Sequence, residues 1–289
     1  MQPCVSIHLA GGLGNQLFQM FAAFAYGIQN KRKVIFPYQY YLPGVTARKT
    51  YWDTHFYHLI IFTTRVPSNE ISDEDMSKFQ LICEQSFAYT PLHVPNKNES
   101  ILLQGYFQSY KYFESQYDDI AAIMRLDRFR AETIIDHEEL LKPSHGEVCS
   151  MHFRIDDYKR FPTKHPILGT AYYNNALSYI DKNKTITRVI YFFQESDTED
   201  VMKIITDLES RYHNIEFIPV NHSICEWKQM VLMSCCQHNI IANSTFSWWG
   251  AYMNKSVTKL VTYPSVWFGV DLPHDTVDLC PTSWIQIDA

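Results

Sequence analysis

With 289 residues, 46% of them hydrophobic and 19% charged, the chain has room for two α/β domains whose cores need neither disulfides nor metal. A net charge of -6 argues against a nucleic-acid or anionic-membrane surface, though not against a local basic pocket for one small anion, and no apolar run approaches the ~18–20 residues of a membrane span. Seven cysteines, odd in number, scattered and without a C-x-x-C pair, read as reduced thiols in a reducing compartment.

The chain enters an alternating strand, Val5-Ser6-Ile7-His8-Leu9, with no basic flank or cleavable apolar segment, so neither signal peptide nor anchor is expected. Gly11-Gly12-Leu13-Gly14-Asn15-Gln16 follows, then a helix with Leu17, Phe21, Phe24 and Ile28 at intervals of three and four. Strand, glycine turn and helix make a Rossmann-like opening. It is a poor dinucleotide fingerprint, because Leu17 stands where the third glycine belongs and the next strand, Val34-Ile35-Phe36, ends without an acid. Gly12 and Gly14 fit either a tight turn needing positive φ or close backbone approach to a ligand, with the amides of Asn15 and Gln16 at a helix N-terminus.

Residues 37–70 show no clear period but carry Tyr38, Tyr40, Tyr41, Tyr51, Trp52, Phe56 and Tyr57, which suit a cleft lining or irregular core packing equally well. Asp73-Glu74-Asp75 has the D-x-D form of a cation site, yet Ser72 with Asp75 reads better as a helix start, and no metal is expected. Ile101 to Ser109 reads as a buried strand running into a loop, and one long helical pattern spans about Tyr112 to Leu141.

Lys142-Pro143-Ser144-His145-Gly146-Glu147 is the best linker, dividing a domain of residues 1–142 from one of 147–289. Beyond it strands and helices alternate: Val148 to Phe153, a helix over Thr170 to Asn183, Arg188 to Phe193, a helix begun by Asp197 and Asp200, and Ile215 to Ile218. A helix capped by Ser223 and Glu226, the run Asn239 to Ala242, and a last strand Lys259 to Tyr263 complete the series. Such alternation predicts a parallel, doubly wound sheet whose ligand lies at the carboxyl ends of its strands.

That rule selects two clusters. One is His152-Phe153-Arg154-Ile155-Asp156-Asp157-Tyr158: Arg154 can neutralise a diphosphate with paired donors, His152 could add a hydrogen bond, and Asp157 could orient Arg154 or accept a proton. A surface ion pair with a packed histidine would look the same. The other is Asn243-Ser244-Thr245-Phe246-Ser247-Trp248-Trp249-Gly250, where a strand meets a helix start. Its hydroxyls and amides suit an anion, or else it is a capped helix with two core tryptophans. Asn243-Ser244-Thr245 is also one of five N-x-S/T sequons, and a glycan there would block the turn.

These segments together resemble the α-1,2-fucosyltransferases of glycosyltransferase family 11. The likeness rests on Gly11-Gly12-Leu13-Gly14-Asn15-Gln16-Leu17-Phe18-Gln19, Gly105-Tyr106-Phe107-Gln108-Ser109 with Lys111-Tyr112-Phe113, Leu232-Met233-Ser234-Cys235, and His238 through Ala251. The resemblance implies a GT-B fold, two Rossmann-like domains with a cleft between them. It also implies GDP-β-L-fucose as donor, inverting transfer to a galactoside or oligosaccharide acceptor, and no metal or other cofactor.

In that frame Arg154 and Asp157, with Asn15, are the expected catalytic set. His152, Arg154, Asn243, Ser244, Thr245, Phe246 and Ser247 are the expected donor contacts, and Gly12, Gly14, Asn15 and Gln16 line the cleft. The chain departs from the family's H-x-R-R-G-D-Y at Ile155 and Asp156, where Lys159 or Arg160 would have to restore the lost positive charge. It departs also from an F-S-D-D run at Phe193-Gln194-Glu195-Ser196-Asp197. Another GDP-linked deoxyhexose, or sugar binding without catalysis, are the competing expectations. A cytoplasmic enzyme of bacterial or viral type is the expected setting.

Overall fold

The computed structural model describes residues 2–43, 47–69, 71–93 and 98–289, with the side chain of Asp73 outside the described set. The chain divides into two compact units, Met1–Asp127 with Asp275–Pro281, and Arg128–His274 with Thr282–Ala289.

The first unit contains strand β1 (Cys4–Ile7), helix α1 (Leu13–Asn30), β2 (Lys33–Val34), the ribbon β3 (Tyr41–Leu42) and β4 (Arg48–Lys49), α2 (Asp73–Met76), β5 (Gln80–Cys83), β6 (Ile101–Gln104) and α3 (Tyr117–Ile123). Its parallel sheet runs β2-β1-β6-β5. Helix α1 is apolar almost all round and therefore buried, with Phe21 edge-on to Phe113 at 5.3 Å and Phe24 edge-on to Phe36 at 5.3 Å. At the start of α2, Ser72 Oγ accepts from the Asp75 amide at 3.1 Å while the Asp75 carboxylate accepts from Ser72 N at 3.0 Å, a reciprocal cap. The D-x-D run therefore uses Asp75 to start a helix, and Asp73 lies outside the described side chains.

The second unit holds most of α4 (Leu126–Asp136), then α5 (Glu138–Leu141), β7 (Glu147–His152), α6 (Thr170–Asn183), β8 (Ile186–Phe192), α7 (Thr198–Glu209) and β9 (Glu216–Pro219). It continues with α8 (Glu226–Cys235), β10 (His238–Ile240), α9 (Thr245–Tyr252), β11 (Val261–Pro264) and β12 (Ile285–Ile287). Six parallel strands lie in the order β12-β11-β10-β7-β8-β9. The chain steps outward from β7 through β8 to β9, then returns to the other side of β7 at β10, so the order in which strands are added reverses between β7 and β10 while all remain parallel. Tyr172, Tyr173, Ala176 and Leu177 of α6 and Val201 and Ile205 of α7 belong to one core cluster, while Leu232 and Met233 of α8 join Val148, Ile190 and Phe192 in another.

Three expectations are corrected. The pattern from Tyr112 to Leu141 is interrupted: Arg125 takes a left-handed φ of 57° that no continuous helix tolerates and separates α3 from α4, and His137, at φ -130°, separates α4 from α5. The boundary falls near residue 127 and not at the linker, because α4 packs on the second unit: Phe129 meets Trp227 edge-on at 5.3 Å and Arg130 donates to the Ser234 carbonyl. Residues Asp275–Pro281 return to the first unit, where Ser109 Oγ donates to the Asp278 carbonyl at 2.7 Å and Lys111 pairs with the Asp278 carboxylate.

Two smaller differences follow. Cys225, not Ser223, sits at the N-cap of α8, while Ser223 N bonds Asn221 Oδ1 at 2.9 Å in a local turn. The last strand is β12, one beyond Lys259 to Tyr263. Among the described residues, no helix is long and apolar enough to cross a membrane.

Candidate active site

In the second unit the reversal between β7 and β10 places two clusters side by side at the carboxyl edge, where a doubly wound sheet receives its ligand. Register fixes this neighbourhood, since Ser150 lies opposite Asn239 and Met151 opposite Ile240. Asn239 locks it: fully buried, it donates from Nδ2 to Ser150 Oγ at 2.7 Å and to the Met233 carbonyl at 2.9 Å, and accepts from Asn254 Nδ2 at 2.7 Å. Two tyrosines of α6 secure the strand ends, Tyr172 donating to the Ile241 carbonyl at 2.5 Å and Tyr173 to that of His152 at 3.1 Å.

Arg154 emerges just past β7. Its Nη2 bonds Asp157 Oδ2 at 2.8 Å, Nη1 reaches Gln194 Oε1 at 3.2 Å, and the guanidinium lies 5.5 Å above the Tyr158 ring. Tyr158 in turn donates to the Asn243 carbonyl at 2.8 Å and stacks on His165 at 4.7 Å, so one side chain ties Arg154 to the turn before α9. Burial pushes the Tyr158 phenol up to about 12, which keeps it a donor at neutral pH. Gln194, at the end of the neighbouring β8, is a contact the motif reading passed over. The same carboxyl-edge rule applied to β8 would have found it.

His152 is 6% exposed, its ring 5.4 Å from that of Phe246, and its Nδ1 is buried with no hydrogen-bond partner. Burial, with a smaller effect of the Arg154 guanidinium, pushes the imidazole down to about 3. The ring is therefore neutral and carries one N–H to donate. An unsatisfied buried nitrogen costs ~1–3 kcal/mol, which a ligand or a water at this edge would recover.

In the turn that follows β10, Ser244 caps α9 by accepting from Phe246 N at 3.3 Å, with no acidic residue in the first turn to neutralise the helix end. Thr245 and Phe246 are half-buried, placed where a ligand can reach. Two of the expected donor contacts are engaged within the protein. The Ser247 hydroxyl points inward, donating to the carbonyls of Ala242 at 3.5 Å and Ser244 at 3.3 Å, so it stabilises the turn. Asn243 Nδ2 is committed to the carbonyls of Pro166 at 2.9 Å and Trp267 at 3.2 Å, leaving only its buried, unpaired Oδ1. Trp248 and Trp249 are fully buried, and Gly250 is required by close packing, since a Cβ there would lie 2.8 Å from Met233 Cβ on α8.

Ile155 is 3% exposed within the core cluster of α6 and β8, which suits an aliphatic residue and not a cation. Of the two residues that could restore the charge, Lys159 pairs with Asp200 at 2.6 Å and Arg160 is exposed. Asp157, whose carboxylate grips Arg154, fits the orienting role better than that of a base.

The glycine turn of the first unit separates the two readings of its glycines. Gly11 carries the positive φ, 76°, and a Cβ there would strike Asn15 Nδ2 at 2.4 Å. Gly12, the N-cap of α1, has an ordinary φ of -76°, and a Cβ there would meet nothing within 4 Å. The chain's own packing thus does not demand glycine at 12, which leaves that backbone open to approach. Gly14 is buried in the first turn of α1.

Gln16 is engaged within the first unit: its amide bonds Gly12 O at 3.0 Å, and Nε2 donates to the carbonyls of Gly11 at 3.0 Å and Lys49 at 2.9 Å. Gln19 also braces the turn, accepting from Ala10 N at 2.9 Å and donating to Gly105 O at 2.8 Å. Half-buried Asn15 accepts from Gln108 Nε2 at 3.1 Å.

The buried neutral histidines set a pH dependence. His152 is depressed as above, and burial lowers His238, whose Nε2 meets Glu147 at 3.1 Å and opposes that shift. The unfolded chain binds these protons first, so stability is full above the unfolded value of about 6.5 and falls as pH drops toward the folded values. From pH 7 to 5 His152 alone should remove about 2 kcal/mol. Urea midpoints should show this loss, and a His152→Gln chain should show less of it; identical pH profiles for the two chains would contradict the assignment.

The model of the family described as Glycosyl transferase family 11 matches residues 7–266. The chain is 26% identical over 313 residues to the O-antigen biosynthesis glycosyltransferase WbnK of Escherichia coli, with 96% of this chain and 99% of that protein aligned. It is 24% identical over 301 residues to an alpha-1,2-colitosyltransferase of Escherichia coli, with 98% and 99% aligned. Among solved structures, a mutant of Arabidopsis thaliana FUT1 in complex with GDP superposes with a TM-score of 0.49 at 11% identity, over 98% of this chain and 76% of that one.

Proposed function

This chain belongs to glycosyltransferase family 11 and is a glycosyltransferase, and from that premise we propose that it transfers L-fucose from GDP-β-L-fucose to a galactoside hydroxyl, in α-1,2 linkage. The displacement inverts the anomeric carbon and uses no metal. The observation that carries this reading is the guanidinium of Arg154 at the β7 edge, tied through Tyr158 to the turn before α9. Breaking the anomeric bond leaves a second negative charge on the β-phosphate of the departing GDP. A fixed cation and helix-end donors placed where that charge develops lower the barrier without reorganisation.

Arg154 would supply the countercharge, Asp157 and Gln194 hold its fork in place, and His152 donates one further hydrogen bond as a neutral imidazole. Thr245 and Phe246 would contribute the first turn of α9, with Ser244 as its cap. Because the transition state has oxocarbenium character, leaving-group stabilisation carries more of the reaction than a strong base, in keeping with Asp157 as the partner of Arg154. Gly12 and Asn15 would contact substrate from the glycine turn.

The departure at Ile155 and Asp156 motivates a second donor: Ile155 is buried and Lys159 pairs with Asp200, so exposed Arg160 is the cation of this segment left to join Arg154. A relative at 24% identity is named for colitose, a different deoxyhexose. Incubation with GDP-fucose and a panel of β-galactosides in EDTA, followed by NMR of the product, tests the reading. An α-1,2-fucoside is expected. Transfer from GDP-colitose with none from GDP-fucose would establish the second donor, and a requirement for added divalent cation would refute the metal-free mechanism.

A further inference from the structure

Away from the β7 edge, the first unit carries a group of polar and aromatic side chains that its folding does not account for. Tyr40 is 60% exposed, and its ring meets that of Tyr38 edge-on at 5.5 Å. The Tyr38 hydroxyl donates to Asp53 Oδ2 at 2.5 Å. Arg65 Nη1 donates to Asp53 Oδ1 at 2.6 Å and to the Tyr38 oxygen at 2.5 Å, with its guanidinium 4.8 Å over the Tyr38 ring.

The Arg65 and Asp53 side chains are 47% and 32% exposed, and an ion pair so open to water adds little to stability. An exposed tyrosine alone would need no explanation. Here it is framed by a carboxylate, a guanidinium and a phenol already locked together, so their geometry is set before any ligand arrives.

The frame also has a defined place. Thr50 N donates to the Tyr40 carbonyl at 3.0 Å, extending the β3–β4 ribbon by one pair, and Tyr38 N is held by Thr64 Oγ1 at 3.0 Å. Lys49 of the same ribbon accepts Gln16 Nε2 at 2.9 Å, which fastens the ribbon to the glycine turn at the start of α1.

We propose that Tyr40, with Asp53, Arg65 and the Tyr38 hydroxyl as its polar frame, is a pyranose-stacking subsite that binds the acceptor glycan. A sugar ring presents an apolar C–H face and a rim of hydroxyls. A flat aromatic face matches the first, and charged groups beside it make strong hydrogen bonds to the second. This subsite rests on the transferase reading above, since it takes the acceptor of that reaction.

The test pairs saturation-transfer NMR with acceptor kinetics on lactose, N-acetyllactosamine and methyl β-D-galactopyranoside, and titrates GDP in parallel. In the unmodified chain, saturation should pass to the ring protons of at least one glycoside. Tyr40→Ala should raise that acceptor's KM tenfold or more while kcat and GDP affinity stay within twofold, Tyr40→Trp should keep the KM low, and Asp53→Asn should raise it.

No saturation transfer to any of the three glycosides, or a Tyr40→Ala KM within twofold of the unmodified chain, would overturn the subsite. The GDP titration keeps the two readings apart, because failure to bind GDP condemns the donor assignment whatever the glycosides do.

Discussion

Replacing Arg154 by alanine should lower the turnover number by 10²–10³, about 3–4 kcal/mol of transition-state stabilisation, while leaving the folded chain nearly as stable as before. The split follows from geometry. The Arg154–Asp157 pair is partly exposed, 21% and 38% by side chain, so its loss costs the fold at most about 1 kcal/mol. In the proposed reaction its loss removes the cation fixed at the β7 edge, since Ile155 is buried in the core and Lys159 pairs with Asp200. Arg154→Lys should recover only part of the activity, since an ammonium cannot bond Asp157 and Gln194 together as the guanidinium fork does. Steady-state rates and urea midpoints on the same preparations check both halves, and turnover within tenfold of the unmodified chain, a loss under about 1.4 kcal/mol, would remove Arg154 from the role.

The opposite split is expected at Trp248. This side chain is fully buried, stacked on Tyr252 at 4.6 Å and packed against Trp249 at 5.2 Å and Trp284 at 5.5 Å. Trp248→Ala empties a large volume beneath the first turn of α9 and should cost ~3–5 kcal/mol. Trp248→Phe should cost less, because the stack on Tyr252 persists. The second unit's denaturation midpoint reports the loss, and a shift corresponding to less than about 1 kcal/mol would show that the aromatic stack does not support the turn. Tryptophans of the motif thus hold the scaffold, while the groups proposed to face a ligand are Arg154 and the start of the helix that Trp248 anchors.

The architecture of the second unit was legible because parallel strands buried on both faces appear as apolar runs between helical periods, and Thr170–Asn183 forms a helix with the bounds its pattern predicts. Once strand ends are known, the carboxyl-edge rule points to Arg154 and to the turn before α9. The internal commitments of individual polar groups were not legible. Ser247, Asn243 and Gln16 have side chains suited to either a ligand or a carbonyl, and the carbonyls they choose belong to Ala242, Pro166, Trp267 and Lys49, some of them far away in sequence. The unit boundary was hidden for a similar reason, since α4 has a helical period whichever unit it packs on, and only contacts such as Phe129 with Trp227 assign it. The left-handed turn at Arg125 is set by φ at one non-glycine residue and leaves no trace in a hydrophobic pattern.

Calorimetric titration of GDP into the unmodified and Arg154→Ala chains, both in EDTA, tests the central claim most directly. The predicted result is one GDP per chain, bound without divalent cation, with affinity at least tenfold weaker in the variant. Equal affinity in the two chains, or binding that appears only when a divalent cation is restored, would contradict it.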